Sequence, residues 1–275
     1  MTTYAFRQVD VFTRGAFTGN PVAIVHDADD VSTEDMRAIT RWTNLSEAAF
    51  LLEPSQPTAD YRVRIFEPKA ELPFAGHPTL GACAAWLDAG GVPHQPGVVV
   101  QECSAGLIEI RITDAGLAFA APPMVRHGPV DSDTLARALR LLGLSGGDIV
   151  ASHWIDNGPG WMGLQLTDAQ RVLDIPMPNK PGEHFHVGVF GLYPSGGNAA
   201  IEVRAFFNDA NGSIREDPVT GSLNASIAQW LLGIGALTAP YLAHQTSGRV
   251  TVAQTEGRIW IGGTTDVRIT GTITV

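Results

Sequence analysis

The sequence predicts an α+β fold of two similar lobes, each a curled, mostly antiparallel sheet around a central helix, related by a pseudo-twofold duplication. Three observations carry this. An ordered set of elements recurs along the chain. Two of its helices are rich in small residues rather than amphipathic. The 275 residues, 44% of them apolar, are enough for two cores.

The recurrence starts with strands at 4–12 and 19–25 around a glycine-rich turn. The same outline returns over Ser152 to Leu166, with Asn157-Gly158-Pro159 in its middle. A helix follows each pair. Ser32 with Asp35 three residues on marks the start of the first, which runs to about Trp42, and Thr167-Asp168 marks the second. Next come Arg62 to Phe66 and Glu202 to Phe206, in which Val63, Arg64 and Phe66 match Val203, Arg204 and Phe206. Each leads through a loop into a helix, one starting near His77 and one near Gly221, and both end in Trp-Leu. Ala82 to Ala85 and Ala225 to Ala228 carry neither Lys nor Glu, so these helices suit the centre of a curled sheet. Residues 99–110 and 250–261 read as closing hairpins with Gly106 and Gly257 at equivalent turns. Residues 121–131 have the proline content of a connection, and Asp131 to Leu144 reads as a helix. The expected lobes are therefore 1–120 and 121–275, with the active site in the cleft between them.

Composition narrows the function. Thirty glycines, well above the usual ~7%, with no low-complexity tract describe a globular chain with many tight turns. A net charge of −10 leaves no basic field for a phosphate backbone, which argues against nucleic acid. The opening MTTYAFRQVD lacks a signal-peptide pattern, and the longest apolar stretch, Ala225 to Leu237, is too short for a bilayer. The expectation is a cytoplasmic protein with no membrane partner. Cys83 and Cys103 cannot by themselves make a disulfide framework or a four-ligand zinc site. His184 and His186 alternate as ligands on one strand face would, yet no close Cys or His completes a set, so no metal is expected. Gly143 to Gly147 lacks the Gly-Lys-Ser/Thr of a phosphate loop and reads as a helix stop.

The loops entering the two small-residue helices are Glu71 to Thr79 and Glu216 to Ser222. Backbone N–H groups at a helix start, approached closely beside Gly76 or Gly221, suit a carboxylate. Two such starts facing one cleft would hold a small acid from both sides. The alternative is ordinary capping by Thr79, Thr220 or Ser222. Glu47, after Asn44-Leu45-Ser46 and before the apolar run 48–52, is either a solvated loop residue or an acid beside the cleft.

Val9-Asp10-Val11-Phe12-Thr13, Gly19-Asn20-Pro21-Val22-Ala23, Asn44-Leu45-Ser46-Glu47, Glu71 to Thr79 and Glu216 to Ser222, in that order, resemble the phenazine-biosynthesis PhzF-like isomerases over nearly the whole chain. The resemblance implies the diaminopimelate-epimerase fold, a cofactor-independent reaction and a homodimer. It makes Glu47 the proton-transferring acid/base, with His77 and Asp217 in the catalytic group. Ser46, Gly76, Thr79, Gly221 and Ser222 would bind a small carboxylate substrate. Ala48-Ala49 depart from the threonines common in the family, which bears on substrate detail. Related epimerases use two thiols at the helix starts, positions near Ala75 and Asp217 here, so two-thiol chemistry is not implied. The implied function is movement of a proton between carbons of a small, amino- or hydroxy-substituted acid. Epimerisation, tautomerisation-linked C–C cleavage and simple binding of a small acid are the alternatives. A carboxyl that gives up and recovers a proton works best nearer neutrality than the ~4.3 of free glutamate, and burial in a closed cleft beside Asp217 would supply that.

Overall fold

The computed structural model describes residues 1–178, 185–209 and 212–275. The chain packs as two units, Met1–Ala120 with Gly262–Val275, and Ala121–Ile261.

In the first unit the order is β1 (Thr3–Val11), β2 (Asn20–Val25), α1 (Thr33–Thr43), β3 (Ala48–Leu52), β4 (Tyr61–Phe66), β5 (Glu71–Leu72), α2 (Gly76–Asp88), β6 (Val98–Cys103), β7 (Gly106–Thr113) and β8 (Gly116–Ala120). In the second, β9 (Arg126–Pro129) and α3 (Ser132–Leu142) come first. Then follow β10 (Ile149–Asp156), β11 (Met162–Leu166), α4 (Ala169–Leu173), β12 (His186–Leu192), β13 (Ile201–Asn208), β14 (Ile214–Asp217), α5 (Gly221–Gly233), β15 (Tyr241–Gln245) and β16 (Gly248–Thr255). β17 (Arg258–Gly263) and β18 (Thr265–Thr274) complete the chain.

The pairings repeat as the elements do. β1–β2 and β10–β11 are antiparallel, whereas β2–β3 and β11–β12 are parallel. β3–β4 and β12–β13 are antiparallel, and β4–β6 and β13–β15 are parallel. Each parallel pair is one that a helix bridges, because neighbouring parallel strands need a crossover. The caps read from the sequence form: Ser32 accepts from the Asp35 N–H and Asp168 from the Arg171 N–H. Asp131 caps α3, and Gly143 ends it in the left-handed conformation.

Two expectations change. The parallel β4–β6 and β13–β15 pairs make β15–β16 the counterpart of β6–β7, so the glycine matching Gly106 is Gly248 rather than Gly257. The division at 121–275 also fails at its far end. β18 pairs along β1 from Thr3↔Thr274 to Val11↔Thr265, so the last residues pack with the first unit. The reason is edge coverage: β1 has β2 on one side, and β18 satisfies the other. In the second unit β9, inside the segment read as a connection, does the same for β10.

α2 and α5 are the central helices. Leu80, Ala82, Cys83 and Ala85 of α2, and Leu223, Ala225, Ile227, Ala228 and Leu231 of α5, are fully buried. Gly81 shows why α2 needs small residues: a Cβ there would lie 2.3 Å from Val22 Cγ1 on β2. Alanine favours a helix interior over glycine by up to ~1 kcal/mol, but overpacking against a fixed β-branched side chain costs about 1–3 kcal/mol. Gly81→Ala is therefore expected to destabilise the protein by about 1–2 kcal/mol in chemical denaturation, against the helix-propensity trend.

Candidate functional site

In the first unit the candidate residues gather at the start of α2. Glu47 leaves the αL turn at Asn44 and directly precedes β3, and His77 is the second residue of α2. Glu47 Oε2 lies 3.4 Å from His77 Nε2, and both atoms are buried. Burial holds His77 down at about 3, so the ring is neutral at pH 7. The contact is thus a carboxyl beside a neutral imidazole and not an ion pair.

No side chain caps α2: its N-cap is Ala75. Gly76 has a packing reason as well, because a Cβ would meet Phe119 Cζ at 2.5 Å. Ser46 is exposed on the turn before Glu47. Thr79 is fully buried, and its hydroxyl accepts from Gln101 Nε2 at 3.0 Å; Gln101 Oε1 accepts from the Tyr61 hydroxyl at 3.0 Å. That hydroxyl serves the core of the first unit.

The neutral state of His77 gives a pH prediction. The unfolded chain binds a proton at the ordinary imidazole value near 6.5, and the folded protein binds it only near 3. Stability from this residue is full above 6.5 and is lost as pH falls toward 3. His26, pushed down to about 4 by burial and by the Arg7 guanidinium, acts in the same direction. Chemical denaturation is expected to show about 2 kcal/mol lost from His77 alone between pH 7 and pH 5, and a shallower slope in His77→Gln.

In the second unit Asp217 ends β14 and Ser222 is the second residue of α5, the place His77 holds in α2. Thr220, the N-cap of α5, directs its hydroxyl away from the helix to Asp217 Oδ2 at 2.5 Å. Ser222 Oγ accepts from Trp161 Nε1 at 2.9 Å, and its carbonyl accepts from Asn157 Nδ2 at 2.9 Å. The Gly158 and Gly160 N–H groups both donate to Asp156 Oδ1, which shapes this loop. In the sequence Asn157-Gly158-Pro159 reads only as a turn. The sequence marks Thr220 only as a cap, a bond its side chain does not make, and nothing in their spacing marks Trp161 or Gln245. In the duplicated loop Thr220 corresponds to Ala75 and Asp217 to Leu72. Cys83 is wholly buried within α2, and burial pushes its thiol up.

His184 lies outside the described residues. His186 on β12 stacks on Phe207 and meets Trp161 edge-on at 5.5 Å. No helix among the described residues is long and apolar enough to cross a membrane.

Comparison with known proteins agrees with this architecture. A family model for phenazine biosynthesis-like proteins, PhzC-PhzF, matches residues 9–274. "Antisense-enhancing sequence 1" of Schizosaccharomyces pombe is 36% identical over 237 residues, covering 81% of this chain and 78% of that protein. A trans-2,3-dihydro-3-hydroxyanthranilate isomerase of Pseudomonas fluorescens is 30% identical over 224 residues, covering 80% of this chain and 77% of its own. The crystal structure of a PhzF family protein from Enterococcus faecalis superposes with a TM-score of 0.80 at 24% identity, covering 100% of both chains, and shares the fold. With nearly every residue inside the matched family, the chain belongs to the phenazine biosynthesis-like PhzC-PhzF proteins and is an isomerase of the PhzF type.

Proposed function

We propose that this isomerase moves a proton between carbons of a small carboxylic acid bearing an amine or hydroxyl, with Glu47 as the acid/base. One observation carries the reading: the Glu47 carboxyl meets a neutral, buried imidazole at the uncapped start of a central helix. A neutral neighbour brings no positive charge that would hold Glu47 as a carboxylate. The same group can therefore donate a proton to one carbon and take one from another, which an isomerisation requires. His77 places its ring nitrogen 3.4 Å from the carboxyl. Backbone N–H groups beside Gly76 and Gly221 donate to the substrate carboxylate, Ser46 and Ser222 add hydroxyls, and Asp217 accepts from the amine or hydroxyl. The reaction calls on no cofactor.

The name of the Pseudomonas fluorescens relative supplies the first substrate to try. Incubation with trans-2,3-dihydro-3-hydroxyanthranilate in D2O is expected to give an isomer carrying deuterium on carbon, read by mass spectrometry. An epimerase would return inverted substrate, and a cleaving enzyme two smaller products. Binding without deuterium uptake or product would sink the isomerase reading for this acid.

A further inference from the structure

The second unit contains a hydrogen-bond chain, Gln245–Thr220–Asp217, whose first two members the proton-transfer reading does not use. Gln245 ends β15 and is almost wholly buried, as is Thr220. Gln245 Oε1 accepts from the Thr220 N–H at 3.0 Å and from Asn224 Nδ2 at 2.8 Å. Gln245 Nε2 donates to the Asp217 carbonyl at 3.1 Å and to Thr220 Oγ1 at 2.9 Å. A backbone N–H only donates and a carbonyl only accepts, so the orientation of this amide is fixed by its partners. Thr220 Oγ1 therefore accepts from Gln245, and its own proton has one destination, Asp217 Oδ2 at 2.5 Å.

The duplicated first unit provides an internal comparison. Residues that build the turn recur: Arg64 and Arg204, Glu71 and Glu216, Pro73 and Pro218, Gly76 and Gly221. At the three positions of the chain they do not. Leu72 stands for Asp217, Ala75 for Thr220, and Cys103, at the same place in the strand pairing, for Gln245. The same strand, turn and helix form in the first unit without the chain, so the fold does not require it.

We infer that Gln245 and Thr220 are positioning residues that hold Asp217 as an oriented, hydrogen-bond-accepting carboxylate. Such a carboxylate selects a substrate presenting a donor, an amine or a hydroxyl, and disfavours one presenting a second acid there. The selection rests on Asp217 acting in the reaction, as proposed above; the positioning itself does not.

The test follows the Asp217 carboxyl carbon by 13C NMR across a pH titration of the full chain, with Asp217→Asn identifying the resonance. The neighbouring ion pairs, Arg204–Glu216 and Arg215–Asp209, carry no substitution in any variant. Thr220→Val keeps the shape and the backbone N–H but removes the hydroxyl. It is expected to move the Asp217 midpoint up by about one pH unit, because a donor to the charged form is lost. Thr220→Ser is expected to restore the parental midpoint; Thr220→Ala replaces the valine variant if that fails to fold. Gln245→Met is expected to give a smaller shift in the same direction, which disappears in the Thr220→Val background. An unmoved midpoint in the hydroxyl-free variant overturns the inference, as does a Gln245→Met shift that persists without the Thr220 hydroxyl. Turnover of trans-2,3-dihydro-3-hydroxyanthranilate provides the second arm. There Thr220→Val is expected to raise KM about tenfold and to add nothing to Asp217→Asn. Undiminished turnover in Asp217→Asn would remove Asp217 from the reaction while leaving the titration result intact, so the two readings fail separately.

Discussion

Glu47→Gln is expected to lower deuterium exchange into substrate carbon about a thousandfold while leaving the fold intact. The amide keeps the size and hydrogen-bonding reach of the carboxyl at 3.4 Å from His77 Nε2 but has no proton that titrates. General acid–base catalysis by one positioned group contributes roughly 10²–10⁴ in rate, and in the proposed reaction one carboxyl serves both the donating and the accepting step. His77 cannot take over. Burial holds its imidazole down at about 3, so it supplies no acid in the neutral range. On the proposed mechanism the loss should appear in kcat more than in KM, since backbone N–H groups rather than Glu47 hold the substrate carboxylate. Exchange at the parental rate in Glu47→Gln would remove Glu47 from the chemistry, and a parallel fall in melting temperature would assign the loss to folding instead.

Arg204→Ala is expected to have the largest effect on stability, about 3 kcal/mol, and more than the matching change at Arg64. Both guanidiniums make a two-pronged bond to a glutamate across a short antiparallel pair, Arg64 to Glu71 and Arg204 to Glu216. Each also lies over a phenylalanine ring, Phe66 or Phe206. They differ in burial. The Arg204–Glu216 side chains are 12% and 15% exposed, and those of Arg64–Glu71 27% and 28%. Arg204 additionally donates to the Ile175 carbonyl just past α4, whereas Arg64 reaches the Thr33 hydroxyl. Removing one partner of a buried pair strands the other charge and costs about 3–5 kcal/mol, while an exposed pair contributes about 1 kcal/mol or less. Arg64→Ala should therefore cost about 1 kcal/mol by the same denaturation measurement. Replacing Arg204 and Glu216 together by Met and Leu should recover much of the loss, because no charge is then stranded. Equal costs at Arg64 and Arg204 would show that burial does not set the difference.

The arginine forks also show how far the sequence could be read. Val63, Arg64 and Phe66 against Val203, Arg204 and Phe206 were visible as a repeat, and the caps Ser32, Asp131 and Asp168 were visible as helix starts. Such signals are local: a cap involves residues three apart, and a central helix announces itself by lacking a polar face. Pairing between distant segments is not local. Nothing in Thr265–Thr274 says that it covers the edge of β1, and nothing in Arg126–Pro129 says that it is a strand. The hairpin correspondence slipped by one for the same reason: alternating strands look alike until a partner fixes their register.

The site divides in the same way. Sequence alone determined the duplicated α+β architecture and the two glycine-led helix starts, because motifs and periodicity sit within a few positions of one another, while the family resemblance pointed to Glu47, His77, Asp217 and Ser222. Only the tertiary structure decided that His77 is a neutral partner to Glu47, that Thr79 belongs to the core, and that Thr220 points its proton at Asp217. Those outcomes depend on burial and on side chains from remote strands, Gln101 and Gln245 above all. Desolvation and hydrogen-bond direction are set by what surrounds a group in space, which the order of residues along the chain does not specify.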